Sequence, residues 1–149
     1  MNGLQKLFAT NDSITSTIVR LTLGAVMLPH GLQKTLGWLG GYGFSGTMGF
    51  FTNTLGLPWI VAFMVIVTES FGAISLLLGF ATRVWAAALI AVMLGAISMA
   101  HFENGFFMNW YGTQKGEGFE YHLLVIGMAL ALVISGAGKL SVDRVVTAE

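Results

Sequence analysis

The stretch Pro58-Trp-Ile-Val-Ala-Phe-Met-Val-Ile-Val-Thr-Glu-Ser-Phe-Gly-Ala-Ile-Ser-Leu-Leu-Leu-Gly79 is the strongest constraint on what this chain can fold into. It is a membrane-spanning length of apolar residues with one carboxylate, Glu69, near its middle. At about 1.5 Å of rise per residue, Glu69 lies roughly 16 Å from Pro58. A hydrocarbon core is about 30 Å thick, so that is close to mid-depth. Holding a charge there is expensive. The acid must therefore face the protein interior and pair, or stay protonated.

The rest of the chain agrees with a membrane setting. It is 55% hydrophobic and 9% charged, with a mean hydropathy of +0.77. A soluble domain averages about 25% charged residues. This chain cannot cover a water-facing surface and reads as an integral membrane protein, and its 149 residues amount to a single domain. Seven basic residues balance seven acidic ones, which argues against a nucleic-acid partner. There is no cysteine, which removes disulfides, thiol catalysis and iron–sulfur clusters. Met1 to Ser13 is short and polar, and no small-residue cleavage motif follows the first apolar run, so that run reads as a retained helix.

Four spans are predicted, at 14–36, 58–79, 83–101 and 120–138. Asp12 or Ser13 is placed to cap the first, and Thr82 the third. Arg20 and Lys34 lie near the ends of the first span, where long cationic side chains snorkel to the interface. Between the first two spans, a short interfacial helix is expected from Ser45 to Leu55, with Met48, Phe51 and Leu55 on its apolar edge. Ala91, Gly95, Ala96 and Ala100 in the third span, and Gly127, Ala131 and Ser135 in the fourth, have the small-residue spacing that lets helices approach closely. The predicted fold is an all-α, integral membrane, four-helix antiparallel bundle. Lys6, Arg20, Arg83, Lys139 and Arg144 fall at one end, against Lys34 and Lys115 at the other. That asymmetry predicts a multi-pass protein of the inner membrane with both termini cytoplasmic.

Folding the spans antiparallel gathers polar residues in the outer half. His30 and Lys34 end the first span, His101 ends the third, and Glu120, Tyr121 and His122 begin the fourth. Glu69 is either a working acid or a structural one tied to Arg20, Lys34 or nearby backbone. His30, His101 and Glu120 each have a structural reading too, as polar or dipole-favoured helix ends. Glu120 and His122 are two positions apart and point to nearly opposite sides of a helix, which makes His122 the weaker candidate for the pocket. The second long loop carries Phe107, Trp110 and other aromatics, as an interfacial belt or a lid.

A lipid-soluble quinone suits such a set. It needs a slot between helices, aromatic walls, and histidine or acid groups at its oxygens. No HxxxH or HxxE spacing supports a metal or haem site, although His30 and His101 supply two ligand types. A proton-coupled transporter using Glu69 as relay is a further reading.

The ordered motifs resemble one known family. His30-Gly31-x-x-Lys34, Gly56-x-Pro58, Glu69-x-x-Gly72 and Leu78-Gly79-x-x-x-Arg83 are similar to motifs of the DoxX family of small bacterial and archaeal membrane proteins. So are His101-x-x-x-Gly105-Phe106-Phe107, Gly118-x-Glu120-Tyr121 and Gly136-x-Gly138-x-x-Ser141-x-Asp143. The resemblance implies four membrane helices and a link to redox chemistry, because the family includes a subunit of a thiosulfate:quinone oxidoreductase. It places His30, Lys34, Glu69, Arg83, His101, Glu120 and Tyr121 on family motif positions. The expected function is a membrane component of a quinone-linked redox system. Glu69, His30 and His101 are its candidate catalytic groups. Lys34, Glu120, Tyr121, Phe107 and Trp110 are its candidate binding groups, and no metal is assigned. The alternative is a non-catalytic anchor or assembly subunit for a redox or detoxification enzyme. A redox-enzyme partner subunit, a homo-oligomer and the lipid bilayer are the partners these readings carry.

Overall fold

A computed structural model describes residues 7–147, and every described element is helical. Helix α1 spans Ile14–Thr35. Ser13 caps it as expected, its hydroxyl accepting from Ser16 N at 3.3 Å. Helix α2 spans Gly43–Gly49 and runs on through a wide π turn at Phe50–Thr54. Helix α3 spans Trp59–Leu78 and helix α4 spans Thr82–Asn104. Helix α5 spans Glu120–Ser135, and a short helix α6 spans Val142–Thr147. The fourth predicted span ends three residues early, because Gly136 and Gly138 adopt φ of +81° and +79° and break the helix.

Helices α3 and α4 are each long and apolar enough to cross a membrane. Helix α1 packs on α3 and α5, and α4 packs along α5. Their shared core is built from Leu23 and Met27 of α1, Leu76 of α3, Leu89 and Met93 of α4, and Leu132 of α5. A smaller cluster joins Met48 of α2 to Ala62 and Ile66 of α3, with Phe51 packed beside it. The outward faces are also apolar: Ile18, Leu21, Ile60, Ile74, Leu94, Leu124 and Ile134 are all exposed. A water-soluble domain would place polar residues there.

Two expectations fail at the end where α3 turns into α4. Arg20 does not snorkel; it is 1% exposed. Its guanidinium donates to Ala137 O (3.0 Å), Leu76 O (2.5 Å), Leu77 O (2.7 Å) and Leu140 O (3.0 Å). It thereby satisfies carbonyls at the end of α3 and in the turn after α5. Thr82 does not cap α4 either. The carboxylate of Asp143 accepts from Ala81 N at 2.6 Å and Thr82 N at 2.9 Å. A longer-range acid thus takes the capping role, with the added benefit of a negative charge at a helix N-terminus. Arg83 and Arg144 also lie at this end, Arg83 bound to Ala9 O and Val133 O and Arg144 paired with Asp12. Lys6, grouped with these cations from the sequence, lies outside the described residues.

Candidate functional site

At the opposite end the helices enclose a cavity of about 590 Å³. Its walls come from α1, α2, α3, α4, α5 and the loop before α5. Three wide π turns supply much of the wall: Phe50–Thr54, Thr68–Gly72 with Glu69, and Ile97–His101 with His101. A π turn inserts an extra residue into the helical hydrogen-bond register and re-aims the side chains around it.

Five of the chain's eight methionines line the space: Met27, Met64, Met93, Met99 and Met108. Unbranched thioether side chains make walls that adapt to an occupant's shape. The polar groups are few. Lys34 Nζ and Glu69 Oε2 form an ion pair at 2.5 Å, with the carboxylate side chain 8% exposed. Of the partners left open for Glu69, the lysine one turn beyond His30 is therefore the one it takes. This pairing requires α1 and α3 to touch. A Cβ on Gly31 would run into the backbone of Glu69 and Ser70, so glycine permits the approach.

The His30 ring lies 6.0 Å from that of Tyr121, whose hydroxyl donates weakly to Met27 Sδ at 3.4 Å. His101 Nδ1 lies 2.9 Å from Glu117 O. A carbonyl only accepts, so Nδ1 carries a proton, and in the neutral ring Nε2 is then the acceptor. The His101 and His122 rings are 4.2 Å apart. His122 is 6% exposed; its Nδ1 makes no well-formed hydrogen bond, and its ring lies within weak reach of the Phe119 backbone.

The cavity therefore collects Glu69, His30, His101, Lys34 and Tyr121, five of the residues singled out in the sequence. It also collects His122, the one set aside. Glu120 and His122 do diverge on α5, as their spacing requires, but the inward one is His122. Glu120 instead accepts from Met108 N at 3.0 Å and Trp110 Nε1 at 2.9 Å, which fixes the loop that brings Met108 into the wall. Phe107 and Trp110 stand outside the cavity, 63% and 77% exposed. Glu117, missed from the sequence, orients His101 through its carbonyl. No residue type at position 117 could have signalled that, because the contact is made by backbone. Among the described residues no group of three or more His, Cys, Asp or Glu is disposed to hold a metal ion.

The small-residue spacing of α4 also has a different use. Ala91, Gly95, Ala96 and Ala100 line the cavity, and a Cβ added at Gly95 would meet nothing within 4 Å. These positions leave room instead of admitting a neighbouring helix.

The profile of the DoxX family matches residues 15–102, more than half of the sequence. The chain belongs to the DoxX family. The matched region carries α1 to α4 with His30, Lys34, Glu69 and His101, and stops before Tyr121 and His122. As an apolar DoxX protein it is a membrane protein. It is similar to the "Putative oxidoreductase CatD" of Bacillus subtilis, with 29% identity over 87% of this chain and 85% of that one. It is also similar to the "Inner membrane protein YphA" of Escherichia coli, with 28% identity over 97% of this chain and 99% of that one. No solved structure matches it.

Proposed function

We propose that this DoxX protein is the quinone-binding membrane component of a redox system, with the cavity as its binding site. The observation that carries the reading is His122: a buried imidazole whose Nδ1 makes no well-formed hydrogen bond, in the wall of a cavity whose surface is mostly apolar. Leaving a buried polar atom unpaired costs about 1–3 kcal/mol, which an occupant with a hydrogen-bonding edge recovers. The residues present fit such a group. His101 and His122 offer hydrogen bonds, and Lys34 with Glu69 supplies a positive charge and a carboxylate beside them. The methionines and small residues of α4 provide an apolar slot.

A bound quinone supplies a two-electron, two-proton redox couple. His101 Nε2, as a lone pair on a ring held by Glu117, accepts a proton or a hydrogen bond. Glu69 holds or releases a proton while Lys34 offsets its charge. With no cysteine the chain has no thiol couple of its own, so electrons reach the site from a partner subunit. The oxidoreductase in CatD's name is in keeping with this role.

The same reading has all four long helices crossing the bilayer with both termini cytoplasmic. Helix α1 qualifies because the Arg20 charge is enclosed, leaving Ile14, Ile18, Leu21 and Val26 outward. Helix α5, at 16 residues, spans about 24 Å. That length is short, and the aromatic loop before it extends it to the interface.

The test is mass spectrometry of quinones extracted from protein purified in mild detergent. Stoichiometric quinone is expected with the wild-type chain, and a drop of about tenfold or more with Glu69→Gln. Folded wild-type protein that carries and binds none would sink the redox reading and favour the anchor role.

A further inference from the structure

Thr68, Glu69 and His122 are buried in the cavity, and its side between α3 and α4 is apolar. The first half of α3, Trp59–Val67, packs against α1 and α2 instead of α4. The two helices are thus close near their turn at Phe80–Ala81 and part toward the other end, where the cavity fills the gap. The exposed lining residues of α2, α3 and α4 are Phe50, Val61, Met64, Ala91, Met99 and Ala100, all apolar, and the exposed polar lining residue, Glu117, belongs to the loop before α5. An opening for a solute from water would have a polar rim. In a membrane protein this one faces hydrocarbon.

Behind the rim, α4 lines the cavity with the small residues Ala88, Ala91, Gly95 and Ala96, which form a trough bordered by Val92, Met93 and Met99. The trough alone would be only a small-residue stripe. The buried, unpartnered His122 within the same cavity indicates a ligand with a polar head, and the trough then has a chain to hold.

We propose that the occupant enters sideways from the bilayer between α3 and α4, and that its polyprenyl chain lies over the Ala88–Gly95 trough, with Gly95 deciding whether the chain fits. This rests on the quinone reading above and adds to it a route and a chain-selecting residue. A leucine at position 95 would occupy open space in the trough, because a Cβ there meets nothing within 4 Å. Gly127 on α5 provides a matched control. A Cβ there also meets nothing within 4 Å, but the residue lies outside the cavity.

The experiment is saturation binding to full-length protein in nanodiscs, with affinities expressed per mole of lipid. The probes are a long-chain polyprenyl quinone and the same headgroup with a methyl in place of the chain. Gly95→Leu is expected to weaken the long-chain quinone by about tenfold or more, the loss of a few buried methylenes. The chainless analogue should stay within about twofold of wild type, and Gly127→Leu should change neither. Equal weakening of both probes by Gly95→Leu, no weakening of either, or a like effect from Gly127→Leu would each overturn the trough assignment and leave the binding site standing. A wild-type chain that binds neither probe would overturn the parent reading and this inference with it.

Discussion

The molecule buries charge at both ends and treats it in opposite ways. At the end where α3 turns into α4, Arg20 is 1% exposed and makes four hydrogen bonds to backbone carbonyls, while Asp143 accepts two backbone N–H groups. At the cavity end, His122 keeps an unpaired Nδ1, His101 an unused lone pair, and Tyr121 a hydroxyl held only by a thioether. Both sets would look alike as intramembrane polar residues in a hydropathy plot. What separates them is satisfaction. At the first end, among the described residues, Thr82 Oγ1 alone is left without a partner and it stands outside the cavity, so the network reads as architecture, whereas an open one in a roomy cavity reads as a site.

The sharpest way to break this comparison is to remove the closed network. Arg20→Leu should destabilise the fold by about 4 kcal/mol or more, because it strands four carbonyls from two segments at once. Arg20→Lys should rescue little, since a single ammonium cannot replace the planar fork that reaches Ala137, Leu76, Leu77 and Leu140. Thermal unfolding in detergent would check both. A variant that melts within a few degrees of wild type would show that the carbonyls find other partners, and the contrast between the ends would lose its basis.

A smaller effect is expected where architecture and site meet. Gly31→Val puts two methyls where the backbone of Glu69 and Ser70 now sits, so α1 must shift away from the π turn of α3. Overpacking of this kind costs about 1–3 kcal/mol. The shift also separates Lys34 from Glu69, so quinone binding should fall further than stability does. Binding that survives in the folded variant would mean that the ion pair is not part of the site.

How much of this was legible in the sequence follows the same division. Helix positions came through because apolar length is a local property, and Ser13 capped α1 because capping is settled within four residues. Glu69 announced itself as a lone acid in a long apolar run. The network at the Arg20 end did not, because Asp143 reaches back about sixty residues to cap α4, and nothing near Thr82 hints at it. The π turns left no trace, since a one-residue slip in hydrogen-bond register has no residue signature. The use of the α4 stripe within the chain was not legible, because small residues serve equally to admit a helix or to leave a hollow. His122 was set aside by sound geometry: Glu120 and His122 do face apart, but spacing alone cannot say which of two opposed residues looks inward. That depends on how α5 packs along α4, which is a tertiary fact.

The smallest expected change in stability is the most diagnostic, because its sign differs from the others. His122→Leu replaces a buried ring bearing an unpaired nitrogen with an apolar side chain of similar volume and different shape. Removing an unsatisfied polar atom gains about 1 kcal/mol, and the change of shape takes some of that back. The variant should therefore melt at or slightly above the wild-type temperature in ligand-free detergent, while quinone binding falls by about tenfold or more. A residue retained for architecture gives the reverse pattern, as Arg20 is expected to. If His122→Leu destabilises the ligand-free protein and leaves binding intact, then His122 belongs with the closed network, and unsatisfied burial is no guide to the site in this fold.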